Sequence, residues 1–310
     1  MKALRFHSFG SPDVLAIEEI GKPTPGPGET LVQVQAAGIN PSDISNVAGK
    51  FKATTLPRVP GRDFAGIALG GPWNGRTVWG SVPGFGIARD GSHAEYAVVP
   101  DEALSIAPPN LLPQQAAAVG VPFTTAWGAL MIAAELQPGE AVLITGAAGS
   151  VGRAATQIAL WKGARVIGGT LNGAAVPGLP LVVDTANDMP THVFALTEGK
   201  GADIVFDTVG GSVFEPSLKS LGRGGRQVAI SSPKEPRVSL NLIDFYHNES
   251  RLIGFDSYAF SYREAAGILD QLRTGFESGA LIAPQVKTVD FENAIDAYKA
   301  SAGTKTVLTF

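Results

Sequence analysis

The sequence predicts an α/β chain that combines a doubly wound parallel sheet with a smaller, mainly antiparallel β domain. Three observations support this. Strand-like and helical segments alternate between residues 120 and 257. Residues 143–169 run from a strand through a turn of small residues into a helix. The first third has short runs of alternating polarity between loops rich in glycine and proline. Alternating β and α segments are typical of a parallel sheet with right-handed crossovers.

The amino-acid composition limits the classes of function that this chain can have. A chain of 310 residues that is 45% hydrophobic and 17% charged is long enough for two globular domains. Its net charge of −4 gives no reason to expect nucleic acid or an anionic membrane as a partner. The absence of cysteine excludes disulfides and thiolate metal sites. Because the first residues contain no apolar signal region, we expect a soluble, cytoplasmic protein.

The elements follow in order along the chain. Residues 30–38 and 93–100 alternate in polarity and predict antiparallel strands. The uncharged stretch 103–134 contains four prolines and favours buried helices over a lipid-facing span. The parallel sheet is then predicted from strands at 141–145, 164–169, 202–211, 225–232 and 251–257, with helices at 150–162 and 213–222. After them come a helix at 262–275, a strand at 284–290, a short helix from Phe291 and a closing strand at 304–310.

The turn at residues 146–149 has the composition of a phosphate site. Helix 150–162 follows it, and free N–H groups at a helix N-terminus bind anions. Gly149 allows the backbone to approach a pyrophosphate, and Gly152 allows the helix to pack closely. Ala147 stands where the usual dinucleotide fingerprint has its first glycine, which is tolerable if its φ stays negative. The alternative is a tight β–α turn without a ligand.

The second half of the fingerprint is missing. A carboxylate about 20 residues downstream normally binds the ribose of NAD. Here no Asp or Glu occurs between Glu140 and Asp184, which favours NADP(H). Arg153 is a candidate phosphate contact, whereas Lys162 and Arg165 are expected to be solvated. The segment 170–181 is broken by glycine and proline and cannot form the expected crossover helix, so NAD remains an alternative.

Seven segments together resemble a known family. The chain resembles zinc-free medium-chain dehydrogenases/reductases of the quinone oxidoreductase (zeta-crystallin-like) branch, and the segments lie at 36–44, 60–66, 91–100, 116–130, 146–159, 199–211 and 222–230. The resemblance implies a GroES-like catalytic domain formed by residues 1–119 and 258–310, around a Rossmann cofactor domain at 120–257. It also implies a homodimer that pairs through the edge strand 251–257.

The same resemblance bears on zinc. Zinc-dependent relatives hold their metal with a cysteine, a His-Glu pair and a third cysteine or histidine. The matching positions here are Asn40, Arg62–Asp63 and Val121, which cannot form a tetrahedral nitrogen and sulfur site. The four histidines have no ligand spacing. We therefore expect no metal, and hydride transfer that depends on positioning and hydrogen-bond donors.

The resemblance implies specific site residues. Asn40 and Thr125 are the predicted catalytic residues and are expected to contact the nicotinamide. Asp43, Phe51 and Phe123 are expected to line the substrate cleft. Asp43 also fits the role of a helix cap, and Asp63 fits a structural role. The predicted cofactor contacts are Asn40, Thr125, Gly146, Ala147, Gly149, Ser150, Val151, Gly152, Arg153, Gly169, Thr170, Thr208, Val209, Gly210, Ser231 and Ser232.

These observations predict a zinc-independent, NADPH-dependent oxidoreductase that transfers hydride to quinones or other activated carbonyl or alkene acceptors. Phe51 stands where many relatives have a tyrosine, and phenylalanine cannot donate a hydrogen bond. An enoyl-thioester reductase and a non-catalytic, crystallin-like NADPH-binding protein remain alternatives.

Overall fold

The computed structural model describes residues 1–231, 235–300 and 305–310. The strands are β1 (Lys2–Phe6), β2 (Leu15–Glu19), β3 (Glu29–Gly38), β4 (Asp63–Leu69), β5 (Thr77–Ser81), β6 (Tyr96–Pro100), β7 (Ser105–Ile106), β8 (Ala141–Thr145), β9 (Arg165–Thr170), β10 (Val182–Asp184), β11 (Ala202–Asp207), β12 (Leu221–Ala229), β13 (Arg251–Gly254), β14 (Val286–Asp290) and β15 (Lys305–Thr309). The helices are α1 (Pro41–Val47), α2 (Pro113–Trp127), α3 (Ser150–Trp161), α4 (Met189–Leu196), α5 (Phe214–Lys219), α6 (Leu242–His247), α7 (Tyr262–Glu277) and α8 (Ala294–Lys299).

The chain forms two compact units. The split unit contains Met1–Thr124 and Tyr258–Phe310, and the central unit contains Thr125–Ser257. The sequence places the first boundary after residue 119. In the structure the first boundary falls inside α2, so neither a linker nor a turn marks it in the sequence.

The split unit is built on a seven-stranded sheet. Its strand order is β14-β15-β3-β4-β5-β7, and β6 pairs with β3. Most pairs are antiparallel, as predicted, and β14 and β15 are parallel. The register sets Gly38 opposite both Asp63 and Val307. The end of β3, the start of β4 and the strand β15 therefore meet at one place.

The central unit contains a parallel sheet of six strands, as predicted. Its order is β10-β9-β8-β11-β12-β13, the reversing order of a doubly wound Rossmann sheet. Every residue of β8 is buried, because a parallel strand is covered on both faces. Thr145, Thr170 and Asp207 end three adjacent strands at the same edge of this sheet.

One stretch of the described chain, Pro113–Ala133, is long and apolar enough to cross a membrane by length and composition. It comprises α2 and the π-helix Gly128–Ala133. Its most apolar window is 72% buried, which is typical of a core helix in a soluble protein. This burial agrees with the prediction of buried helices over this stretch.

The segment after β9 also agrees with the prediction. It forms only a short 3-10 turn, Leu171–Gly173, in which Asn172 has a φ of +57°. The expected strand at 251–257 is shorter, because it ends at Gly254 and a second 3-10 turn, Ser257–Ala259, follows it. The expected strand at 225–232 begins earlier, at Leu221.

Candidate active site

The turn that follows β8 accommodates Ala147. Its positive φ falls on Gly146, at +65°, and Ala147 is not among the residues with positive φ. The Ala147 side chain is buried, and its N–H donates to the Gly169 carbonyl at 3.2 Å. Position 147 therefore does not need the positive φ that glycine allows, and an alanine is compatible with this turn.

The N-terminus of α3 presents free donors next to this turn. The Arg153 N–H donates to the Gly149 carbonyl at 2.9 Å, the first bond inside the helix. The N–H groups of Ser150, Val151 and Gly152 precede that bond and have no acceptor within the helix. A Cβ on Gly152 would lie 2.3 Å from the Gly146 carbonyl oxygen, so only glycine packs this close. This donor set fits a pyrophosphate.

Of the three cations considered from the sequence, Arg153 lies at this turn. Its Nε donates to the Ala148 carbonyl at 2.8 Å, which holds the exposed guanidinium beside the free N–H groups. Lys162 lies at the other end of α3, with its ammonium 3.8 Å from the centre of the Trp161 ring. Arg165 donates to the Leu196 carbonyl. Neither of these two cations approaches the turn.

A buried aspartate fixes the next loop of the sheet edge. Asp207 accepts hydrogen bonds from the Thr145 hydroxyl at 2.7 Å and from the N–H groups of Val209 and Gly210 at 3.0 Å. The Thr208 hydroxyl donates back to the Thr145 carbonyl at 2.8 Å. Sequence reasoning missed Asp207, although its place at the end of an apolar strand was a signal. The predicted contacts Thr208, Val209 and Gly210 therefore sit on a rigid loop.

The end of β9 has a carboxylate neighbour, Asp184, which in the sequence only marks the end of the carboxylate-free segment. Asp184 pairs with Thr170 across β10 and β9. Its Oδ1 accepts from the N–H groups of Asn172 and Ala186, both at 2.9 Å. Gly169 and Thr170, both predicted cofactor contacts, are buried at this strand end. Ser231 is exposed after β12, and Ser232 lies outside the described residues.

A buried polar cluster occupies the place in the split unit where β3, β4 and β15 meet. The Lys305 ammonium donates to the Asn40 Oδ1 at 2.5 Å and lies 3.5 Å from the Asp63 carboxylate. The Asn40 Nδ2 donates to Asp63 at 2.9 Å. Asp63 also accepts from the Ser81 hydroxyl at 2.8 Å and from the Val121 N–H. Burial lowers the pKa of Lys305.

This cluster brings together the positions that match zinc ligands in relatives. Asn40 and the Val121 N–H both bond to Asp63, while the Arg62 guanidinium donates to the Ser42 hydroxyl at 2.9 Å. Among the described residues, no group of three or more His, Cys, Asp or Glu could hold a metal ion. An amide, a guanidinium and an ammonium do not fit a zinc ion, which takes thiolate, imidazole or carboxylate ligands.

Two further buried groups have shifted pKa values. Asp43 accepts from the Asn40 N–H at 2.8 Å and so caps α1, and burial raises its pKa to about 6, with the charge of Asp63 adding to the shift. Burial lowers the pKa of His93 to about 4. The His93 Nε2 lies 3.2 Å from the Gly38 carbonyl and its Nδ1 lies 2.8 Å from the Tyr298 hydroxyl. A neutral ring donates at Nε2 and accepts at Nδ1.

The remaining predicted residues lie in different surroundings. Phe51 is half-buried, and its ring meets the edge of the Tyr258 ring at 6.3 Å between centroids. Phe123 is buried against Phe276 in the core of the split unit. In the central unit, the hydroxyls of Thr125 and Ser257 hydrogen bond at 2.9 Å.

Comparison with known proteins identifies the family. Residues 26–109 match the alcohol dehydrogenase GroES-like domain, and residues 150–272 match the zinc-binding dehydrogenase family. A zinc-type alcohol dehydrogenase-like protein of Schizosaccharomyces pombe is 39% identical over 90% of this chain and 86% of its own. The human quinone oxidoreductase is 30% identical over 91% of this chain and 88% of its own. The chain belongs to the medium-chain dehydrogenase/reductase family.

The solved structures agree. An alcohol dehydrogenase superfamily protein from Novosphingobium aromaticivorans superposes with a TM-score of 0.88 and 27% identity, over 100% of this chain and 99% of that one. The predicted Rossmann and GroES-like folds and the resemblance to quinone oxidoreductases are therefore confirmed. This medium-chain dehydrogenase/reductase is an oxidoreductase of a family that uses a nicotinamide cofactor.

Proposed function

We propose that this chain is a zinc-independent reductase that uses NADPH to reduce quinones or other activated carbonyl and alkene acceptors. The observation that carries the proposal is the Lys305 ammonium, which lies among the positions that match the zinc ligands of relatives. A divalent cation at this place would meet a fixed positive charge and an amide that already has two partners. The names of the matched family and of the fission yeast relative mention zinc, but these residues of the present chain do not fit a zinc ion.

The cofactor would be held mainly by the central unit. The N–H groups of Ser150, Val151 and Gly152 would bind the pyrophosphate, with the Arg153 guanidinium beside them. The loop fixed by Asp207 and the strand end at Thr170 would bind the riboses. Asn40 and Thr125 are proposed at the nicotinamide end. The bound reduced nicotinamide supplies a hydride.

NADPH is proposed because no carboxylate occurs in residues 141–183, the segment where NAD-specific chains carry one. The Arg153 guanidinium adds positive charge beside the turn. At this strand end the negative charge of Asp184 would repel a 2′-phosphate. Two backbone N–H groups already donate hydrogen bonds to its Oδ1.

Quinones are proposed as the preferred acceptors because of Phe51. A quinone that accepts a hydride becomes a stabilised phenolate, which water can protonate without help from a side chain. An enoyl thioester builds charge on one oxygen and needs a positioned donor, whose loss costs about 10²–10³-fold in rate. Phe51 offers no such donor.

The test is NADPH oxidation by the purified protein with 1,4-benzoquinone, 9,10-phenanthrenequinone and a crotonyl thioester, each with and without EDTA. We expect turnover with the quinones, no effect of EDTA, and little or no turnover with the thioester. Faster reduction of the thioester would instead favour an enoyl-thioester reductase. NADPH binding without turnover of any acceptor would favour a non-catalytic protein.

We also propose a cytoplasmic homodimer. Strand β13 is at the edge of the central sheet, where an unpaired ladder can bind a partner strand. Leu252 on this strand is 43% exposed, and Leu242, Ile243 and Tyr246 on α6 are also exposed. A second copy would cover this apolar surface.

A further inference from the structure

The loop that follows β9 exposes an asparagine that precedes a glycine. Asn172 and Gly173 lie in the 3-10 turn Leu171–Gly173, and both are exposed. Asn172 has a φ of +57°, which asparagine tolerates better than most residues, and Gly173 has a φ of +63°. The expected crossover helix is missing here, because glycine and proline interrupt the segment 170–181. The Asn-Gly pair therefore lies outside any α-helix or sheet.

A second Asn-Gly pair, Asn74–Gly75, is exposed as well but is held by hydrogen bonds. The Asn74 Oδ1 accepts from the Gly70 N–H at 2.7 Å, and the Gly75 N–H donates to the Ala68 carbonyl at 2.8 Å. In the first pair, the Asn172 backbone N–H donates to Asp184, whereas the Asn172 side-chain amide makes no hydrogen bond within the described residues. The two pairs thus differ in the freedom of the asparagine side chain.

An asparagine that precedes a glycine can lose its side-chain amide without an enzyme. The glycine backbone nitrogen attacks the side-chain carbonyl carbon, a C–N bond forms, and the bond to the side-chain nitrogen breaks, so that ammonia leaves with the proton of the glycine N–H. Water then opens the cyclic imide and leaves a carboxylate on an α- or β-linked aspartate. The attack needs a side chain that can rotate and a following residue without a Cβ. Asn172 meets both conditions.

The product carboxylate would lie at a strand end that is proposed to bind a ribose. The Asn172 N–H donates to the Asp184 Oδ1 at 2.9 Å, and Asp184 pairs with Thr170 at the end of β9. Asp184 already places one negative charge at this strand end. A second carboxylate beside it would repel a 2′-phosphate, whereas NAD-specific chains carry a carboxylate in this part of the fold.

We propose that Asn172 is a site of spontaneous deamidation, and that its conversion to aspartate or isoaspartate shifts the cofactor preference of this enzyme from NADPH toward NADH. The shift in preference rests on the proposed function, whereas the modification does not. The reaction consumes one water molecule and releases one ammonia, so it proceeds in the purified protein. The modified fraction therefore grows with the age of each molecule.

The first test follows the modification itself. The unmodified protein is incubated in warm, mildly alkaline buffer, and peptide mass spectrometry measures the fraction of aspartate and isoaspartate at positions 172 and 74 over time. We expect Asn172 to react about fivefold faster than Asn74 or more, the factor that the loss of one hydrogen bond corresponds to. Asn74 is the matched control, because it is also exposed and also precedes a glycine. Equal rates, or a faster reaction at Asn74, would overturn the site.

The second test measures the consequence for cofactor binding. Asn172→Asp carries the charge of the product, and Asn172→Gly keeps the positive φ without an amide or a charge. Fluorescence titrations compare both variants with NADPH and with NADH. We expect Asn172→Asp to bind NADPH about fivefold more weakly than Asn172→Gly does, with little change for NADH. The difference should shrink as salt screens the charges. Incubation should weaken NADPH binding by the unmodified protein and not by Asn172→Gly.

The outcomes separate the modification from the proposed function. Equal NADPH affinities of Asn172→Asp and Asn172→Gly would overturn the shift in cofactor preference, and so would an equal loss of NADPH and NADH affinity. Tighter binding of NADH than NADPH by freshly purified, unmodified protein would instead contradict the proposed cofactor. The rate of deamidation at Asn172 is measured by mass alone and does not depend on that result.

Discussion

The Lys305 ammonium and the Asn40 amide oxygen are joined by a buried hydrogen bond of 2.5 Å, although 265 positions separate the two residues in the chain. The ammonium also compensates the Asp63 carboxylate, whose side chain is fully buried. Strand β15 therefore supplies the cation of the buried polar cluster that contains Asn40 and Asp63.

Replacing this cation should destabilise the protein strongly. Lys305→Met leaves the buried Asp63 carboxylate with no ammonium, and we expect a loss of about 3–5 kcal/mol in the free energy of unfolding. Urea denaturation measures it. Lys299→Met is the control, because its ion pair with Asp13 is exposed and screened by solvent and should contribute little to stability. A Lys305→Met loss no larger than that of Lys299→Met would contradict the expectation. Adding Asp63→Asn should recover part of the loss.

Stability should respond to pH through two opposing groups. In the folded protein Asp43, with a pKa of about 6 against 3.8 when unfolded, keeps its proton longer, so its contribution to stability falls as pH rises through that window. His93, with a folded pKa of about 4 against 6.5, does the reverse. The two effects oppose each other between pH 4 and 6.

Asp43→Asn should therefore remove the Asp43 contribution to the pH dependence of stability and leave the contribution of His93. Relative to the unmodified protein, the stability of this variant should rise from pH 4 to 6 by up to about 1.4 kcal/mol per pH unit. Urea denaturation at several pH values measures the difference. Parallel stability curves for the two proteins would show that Asp43 does not titrate in this range.

The phosphate turn can be tested at Gly149. Its φ is −74°, so a side chain is compatible with the backbone, and a Cβ would lie 3.3 Å from the Gly146 carbonyl oxygen. Gly149→Asp should abolish NADPH binding in a fluorescence titration, because a carboxylate would stand against the pyrophosphate. Gly149→Ala adds the Cβ without the charge and should lose far less affinity. Retained NADPH affinity in Gly149→Asp would mean that the phosphate site lies elsewhere.

Asp184 should limit the preference for NADPH. Asp184→Asn keeps an acceptor oxygen for the N–H groups of Asn172 and Ala186 but removes the negative charge. We expect NADPH to bind a few-fold more tightly and NADH to change little. Asp188→Asn is the control, because Asp188 is exposed on the same segment. Tighter binding of NADH than NADPH by the unmodified protein would refute the NADP(H) assignment itself.

The proposed dimer depends on the edge strand β13. Leu252→Lys places a charge on its exposed apolar surface, and we expect light scattering to give the mass of a monomer where the unmodified protein gives that of a dimer. Leu160→Lys is the control, because Leu160 is 45% exposed on α3, away from this edge. A monomeric unmodified protein would count against the interface.

Local patterns predicted the central unit well. Strand β8 occupies 141–145 as expected because a strand buried on both faces is a continuous apolar run, and α3 begins at Ser150 because small residues shape the turn before it. Gly163, with a φ of +82°, ends that helix as glycine commonly does.

Contacts between distant residues could not be predicted in this way. No local pattern links Lys305 to Asn40, and Asp184 reaches the end of β9 through a strand pairing that the sequence does not specify. The ring of Tyr258 contacts that of Phe51, although the two residues lie far apart in the sequence. The roles of Asn40, Thr125 and the other site residues remain predictions that the variants above can test.

The hydrogen bond between Thr125 and Ser257 has a consequence for how the chain folds. These are the first and last residues of the central unit, 132 positions apart, and their hydroxyls touch. Bringing the ends of a flexible loop of that length together costs about 4 kcal/mol of chain entropy. Once the central unit has folded, that cost is already met, and the two segments of the split unit behave almost as one continuous polypeptide. The folded central unit therefore keeps its two ends together, so the split unit does not lose further chain entropy to closing a loop of that length.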